Sequence, residues 1–155
     1  NLENYIKIQK YRYNDKFEVY YRYSNDVLDC MILKFILQPL LENAIFHGIE
    51  EIEEGKIHIN IDKEGKILKI EIIDNGVGMD KETVEALMNS STLNSHSKGY
   101  SSIGIKNVDE RIKLHFGHEY GISIYSEKMK GTNITVLLPS LREEVCNDEM
   151  PKDRN

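Results

Sequence analysis

The stretch Asp74-Asn75-Gly76-Val77-Gly78-Met79-Asp80 constrains this chain more than any other. It follows a run in which Leu68, Ile70 and Ile72 alternate with Lys69, Glu71 and Ile73. A period of two marks a strand with one buried face. Asp74 continues the buried phase, where a carboxylate is costly unless something hydrogen-bonds it. Gly76 and Gly78 permit positive φ and leave no Cβ in the way, so a flat ligand could lie close to the backbone. From these residues alone, the favoured reading is the plainer one, a strand ending in an Asp-Asn-Gly hairpin turn.

The flanking elements weigh on that choice. Leu2, Tyr5, Ile6, Gln9 and Tyr13 stand near helical spacing and predict a short amphipathic helix over 2–13. Residues 17–23 are aromatic and β-branched, hence a strand, and Asn25-Asp26 makes a turn. Pro39 suits the first position of a helix and Gly48 its C-terminal cap. Between them Leu40, Asn43, Ala44 and His47 share one face. Two polar residues thus fall on an inward stripe, as satisfied core groups or as site residues. Ile57, Ile59 and Ile61 alternate inward, and Glu64-Gly65 turns the chain into the strand that ends at Asp74. Residues 80–89 are helical, with Asp80 as N-cap.

Residues 90–102 are rich in Ser, Asn, Gly and Lys without periodicity, and a loop this long is usually functional or disordered. Another helix opens at Ile103-Gly104, with Ile105, Val108, Ile112 and Phe116 along one side and Gly117 at its end. Strands over 121–127 and 132–138 follow, joined at Lys130-Gly131. Thr132 shares the buried phase of Ile134, Val136 and Leu138, as Asp74 does on its own strand. Helices falling between antiparallel strand pairs predict an α/β fold: a two-layer sandwich, its mixed, mostly antiparallel sheet covered on one face by three helices.

A chain of 155 residues supports one domain with its own core. Its net charge of -6 argues against nucleic acid as a main partner. No run of about 18 apolar residues is present, so no membrane span is expected, and the polar N-terminus is unlike a secretory signal. The first residue is not Met and falls mid-helix, which reads as a fragment of something longer. Cys30 and Cys146 read as free thiols of a cytosolic protein, and residues 141–155 as a frayed polar tail.

Four features converge on one chemistry. They are a buried-phase Asp at a glycine turn, a buried-phase Thr at a strand start, an Asn on a helix's inner face, and a loop leading to a glycine before a helix. An ionised Asp only accepts hydrogen bonds, so it suits an exocyclic amine. The amide oxygen of Asn suits Mg²⁺, and a helix N-terminus suits an anion. Together they describe a nucleotide, with its base at Asp74 and Thr132, a metal at Asn43 and phosphates at the loop and the Gly104 helix.

The residues also resemble a known pattern, over about 36–138. Leu-Leu-Glu-Asn-Ala with His47 resembles the N box of sensor histidine kinases, and Asp-Asn-Gly-Val-Gly their first glycine box. Ile-Gly-Ile-Lys-Asn-Val followed by Glu110-Arg111-Ile112 resembles the second, and Gly131-Thr132 the closing Gly-Thr. This is the pattern of the Bergerat fold of the gyrase, heat-shock chaperone, histidine kinase and MutL superfamily. The wording from Leu37 to Gly48, with Ile8-Gln9-Lys10-Tyr11-Arg12-Tyr13 upstream, is most similar to YesM/LytS-type kinases.

The resemblance implies an ATP-binding catalytic domain over 15–140, preceded at 1–14 by the end of a dimerisation-domain helix. ATP and Mg²⁺ are the implied cofactors. Asn43 would ligate Mg²⁺, and Asp74 would accept from the adenine amine, helped by a water held by Thr132. Gly76, Gly78 and Met79 would shape the adenine pocket. Gly104 and Ile105, with the loop before them, would form the ATP lid. Asn107, His47 and Lys106 would approach the phosphates.

Three positions depart from the pattern. Ser102 stands where the second glycine box begins with Gly, and Phe46 where many histidine kinases place Lys. Pro39 stands four residues before Asn43, where hydrolases of the superfamily keep a water-activating Glu, so no general base is certain. That favours a kinase over an ATPase; a nucleotide-binding regulatory module without kinase activity is the other alternative. None of His47, His58, His96, His115 and His118 makes a convincing phosphoacceptor. The implied partners are an upstream dimerisation and phosphoacceptor domain and a response regulator, with no nucleic acid and no direct membrane contact. The parent would be a membrane-anchored homodimer with this domain in the cytoplasm, and the fragment alone a monomer.

Overall fold

The computed structural model describes residues 2–89 and 100–142, with residues 100–103 described by backbone alone. The elements in order are α1 (Leu2–Arg12), β1 (Phe17–Tyr23), α2 (Leu37–Asn43), β2 (Gly55–Glu64), β3 (Ile67–Asp74), α3 (Lys81–Asn89), α4 (Tyr100–Phe116), β4 (Gly121–Glu127) and β5 (Gly131–Pro139). A short 3-10 turn at Asn25–Val27 replaces the simple turn expected there. Five strands form one sheet in the order β1-β2-β3-β5-β4. β1 runs parallel to β2, and every other neighbouring pair is antiparallel.

Alternation in the sequence decides which face of the sheet is covered. Ile57, Ile59, Leu68, Ile70, Ile72, Ile134, Val136 and Leu138 are all buried on one side. α2, α3 and α4 pack there, joined by Ile105, Val108 and Ile112 from α4. α1 adds Ile6 and Gln9 to the buried set near the β1 edge. The opposite face keeps polar pairs in the open. Arg22 reaches Asp62 at 2.7 Å, and Tyr20 stacks on His58 at 4.9 Å.

Three boundaries differ from the sequence expectation. α2 begins at Leu37, so Pro39 is its third residue rather than its first. The first turn of a helix leaves its N–H groups without intrahelical partners, so the ring is still tolerated. Gly48 does not cap this helix, because the chain continues through it in a π-turn over Ala44–Ile49. α4 begins at Tyr100, which puts Gly104 inside the helix instead of ahead of it. There a Cβ at Gly104 would lie 3.3 Å from Pro39 Cβ, so the glycine lets α4 lie close against α2. The part of the expected loop over 90–99 lies outside the described residues, as do His96, Cys146 and the tail over 143–155.

Ile112 is fully buried where α4 meets the sheet. Ile112→Ala is expected to cost about 2–5 kcal/mol, read as a lowered midpoint in urea unfolding.

Candidate functional site

β3 ends in Asp74, and its cross-strand partner on β5 is Thr132. Both residues are only 4% exposed, on the face that the helices cover. The Asp74 carboxylate accepts the Gly76 N–H at 2.9 Å. Among the described residues no cation pairs with it. Burial pushes its pKa up to about 6, against the pull of the Gly76 and Thr132 amides. Once ionised, such a group only accepts hydrogen bonds, and a ligand N–H donor would offset its burial.

Asn75 rules out the hairpin turn. Its side chain accepts the Lys56 N–H at 2.7 Å and donates to the Glu54 carbonyl at 3.0 Å. That ties the end of β3 to the start of β2 and sends the chain on towards α3. Gly78 has φ +62°, and a Cβ there would strike the Glu127 carbonyl oxygen at 2.0 Å. The next residues are held from β4: Met79 N–H donates to Ser126 Oγ at 2.8 Å. Asp80 then caps α3 through the Thr83 N–H at 2.9 Å. Lys128 and Thr83 hold its carboxyl well below the usual range.

Ser126 went unnoticed in the sequence, although the signal was there. It lies in phase with Ile122 and Ile124 and opposite Thr132, so it too is a polar residue on a buried stripe. Ser126 Oγ donates to the Gly131 carbonyl at 2.9 Å and lies 2.9 Å from Thr132 Oγ1. A hydroxyl has one proton, so Thr132 donates to Ser126 and keeps its lone pairs free. Asp74 and Thr132 therefore present acceptors side by side.

The helix over this floor carries Asn43, also 4% exposed. Its amide makes no hydrogen bond among the described residues. An amide carbonyl without a partner is a hard oxygen donor of the kind Mg²⁺ takes, so the residue fits that ion. His47 was expected on the same inward stripe but is exposed. α4 covers the start of this flank at Pro39, and packs mainly on α2 rather than on the π-turn that carries His47.

The remaining candidates sit on α4 and are dispersed. Gly104 backs on to Pro39. Ile105 is fully buried in the core, and Lys106 lies 3.6 Å from Glu110. Asn107 is exposed on the outward face, in a groove with Glu110, Arg111, Leu114 and His115. Because the helix starts at Tyr100, Gly104 does not form the free helix N-terminus expected as the phosphate site.

Fold and site define a two-layer α/β domain whose sheet ends in paired buried acceptors beneath a helix carrying a buried Asn. The family described as histidine kinase-, DNA gyrase B- and HSP90-like ATPase matches residues 29–142, and the chain belongs to that family. It is 35% identical over 145 residues to the sensor histidine kinase YesM of Bacillus subtilis, covering 93% of this chain and 23% of that protein. The sensor histidine kinase YpdA of Escherichia coli is 30% identical over 148 residues, covering 94% of this chain and 24% of its own length. The chain thus spans about a quarter of these relatives. Among solved structures, the catalytic domain of histidine kinase ThkA superposes with a TM-score of 0.65 at 17% identity, covering 91% of each chain. The mycobacterial sensor histidine kinase MprB gives 0.61 at 14% identity, covering 90% of this chain and 92% of that one. The chain is an ATP-binding domain of the histidine kinase type.

The raised pKa of Asp74 sets a pH dependence. Between about 4 and 6 the folded state holds a proton that the unfolded state has released, so stability falls as pH rises. A carboxyl lifted from 3.8 to about 6 withholds roughly 3 kcal/mol from the ligand-free protein at neutral pH. Asp74→Asn is therefore expected to raise the melting temperature at pH 7.5 and leave it nearly unchanged at pH 3.5. Equal shifts at both values would refute the assignment.

Proposed function

We propose that this chain is the catalytic domain of a two-component sensor histidine kinase, binding Mg²⁺-ATP and delivering the γ-phosphoryl group to a His on an upstream dimerisation domain. On this reading residues 1–14 end the helix of that domain and residues 15–140 form the catalytic unit. The phosphoryl group then passes to a response regulator, and the parent is a membrane-anchored homodimer with this domain in the cytoplasm. Among the described residues no helix is long and apolar enough to cross a membrane.

The single observation that carries the reading is the buried Asp74 carboxylate, paired across strands with a Thr132 whose lone pairs are free. Two acceptors side by side match the 6-amino edge of adenine and its associated water. Gly76, Gly78 and Met79 line the same end of β3. Asn43 would hold Mg²⁺, which when bound neutralises phosphate charge. The resemblance assigns Lys106, Asn107 and His47 to the phosphates, although here Lys106 lies 3.6 Å from Glu110 and Asn107 faces outward. Pro39 carries no base where hydrolases of the superfamily hold one, so the domain lacks a residue there to activate water. A kinase needs none, because its nucleophile is the acceptor imidazole and catalysis is positioning and charge neutralisation.

Asp74→Asn removes a charge-assisted bond worth roughly 1.5–3 kcal/mol, so ATP affinity by calorimetry should fall about ten- to a hundredfold. The same variant is expected to be more stable without ligand, which separates loss of binding from loss of fold. Asn43→Ala should abolish the Mg²⁺ dependence of ATP binding; a variant that keeps it would remove Asn43 from the metal site. Mixing the domain with a separate dimerisation domain and labelled ATP should label a histidine. Binding without transfer would favour the regulatory-module alternative, and steady phosphate release by the domain alone would favour an ATPase.

A further inference from the structure

Gly48 has no backbone reason to be glycine. Its φ is not positive, and it lies inside a π-turn rather than at a helix end. Its surroundings supply the reason. A Cβ built there would lie 2.8 Å from Asp74 Oδ1, 3.0 Å from Cγ and 3.3 Å from Oδ2. The three closest atoms all belong to one carboxylate, so the helix backbone rests flat on that group. The carboxylate cannot turn aside freely, because Oδ1 is held by the Gly76 N–H at 2.9 Å. Nor can the helix lift freely: the Gly48 carbonyl accepts the Val77 N–H at 2.9 Å, and a Cβ at Gly76 would strike that same carbonyl at 2.1 Å.

We infer that Gly48 is a positioning residue for base recognition: its bare Cα fixes the rotamer of Asp74 and so sets selection of a purine bearing a 6-amino group. The inference rests on the nucleotide-binding reading. It differs from that reading in placing part of the specificity in a residue that cannot itself hydrogen-bond the base through a side chain.

The test compares ATP with purine riboside triphosphate, which lacks the 6-amino group, by calorimetry on the wild-type chain and on Gly48→Ala. The wild type should prefer ATP by about ten- to a hundredfold. In Gly48→Ala that preference should collapse towards unity, with affinity for the analogue changed much less. If the wild type shows no preference, the Asp74 reading itself fails. If the wild type discriminates and Gly48→Ala discriminates as well, the inference fails and Gly48 is only a packing residue. Should Gly48→Ala be too unstable for calorimetry, a double-mutant cycle with Asp74→Ala read by urea unfolding decides: the cost of Gly48→Ala should largely vanish once the carboxylate is gone. A cost that persists in the Asp74→Ala background would overturn the proposal.

Discussion

The organising constraint in this fold is a carboxylate that the protein buries without neutralising. Burial of Asp74 follows from the register between β3 and β5, which sets it opposite Thr132 under the helices. Among the described residues its charge is answered by backbone amides alone, and its face is closed by the backbone of the π-turn. Three chain segments meet within contact of that group: the end of β3, the start of β5 and the last turn after α2. Gly48, Gly76 and Gly131 stand at the meeting points. A Cβ at Gly131 would strike the Asp74 carbonyl at 2.0 Å, as one at Gly76 would strike Gly48. What looks like a glycine-rich turn is a junction of backbones packed closer than side chains permit.

The same economy of side chains recurs between the helices. Pro39 and Gly104 let α2 and α4 approach, and that contact covers the start of α2. The cover stops before the π-turn, so one flank of a single helical run holds a buried Asn and then an exposed His47. Further along, Phe46 makes an edge contact with Tyr13 at 6.0 Å and lies under Arg12. The π-turn is thereby tied to the chain just after α1 on one side and to Asp74 on the other.

Much of the sheet was legible because its face has period two and its buried set is nearly all Ile, Leu and Val. Strands 17–23 and 121–127 fall where patterning places them, and Asp74 and Thr132 betrayed themselves as polar residues in an apolar phase. Ser126 carried the same signal and was passed over, because a serine at a strand's end also suits an exposed turn. The helix ends were not legible. Pro39 and Gly48 look like boundary markers by local propensity, but both are placed by contacts made across the fold, with Gly104 and with Asp74. Gly104 misled in the same way, reading as punctuation when it serves close packing. His47 could not be judged from spacing at all, since exposure there depends on how far α4 extends.

The perturbed acid has a thermodynamic corollary for ligand capture. On the proposed reading, a group that holds its proton up to about pH 6 when empty releases it to solvent when an amine arrives to donate a hydrogen bond to the anion. Nucleotide uptake near that pH is then accompanied by net discharge of hydrogen ions into the buffer. The observed heat of association will scale with the ionisation enthalpy of whatever buffer absorbs them.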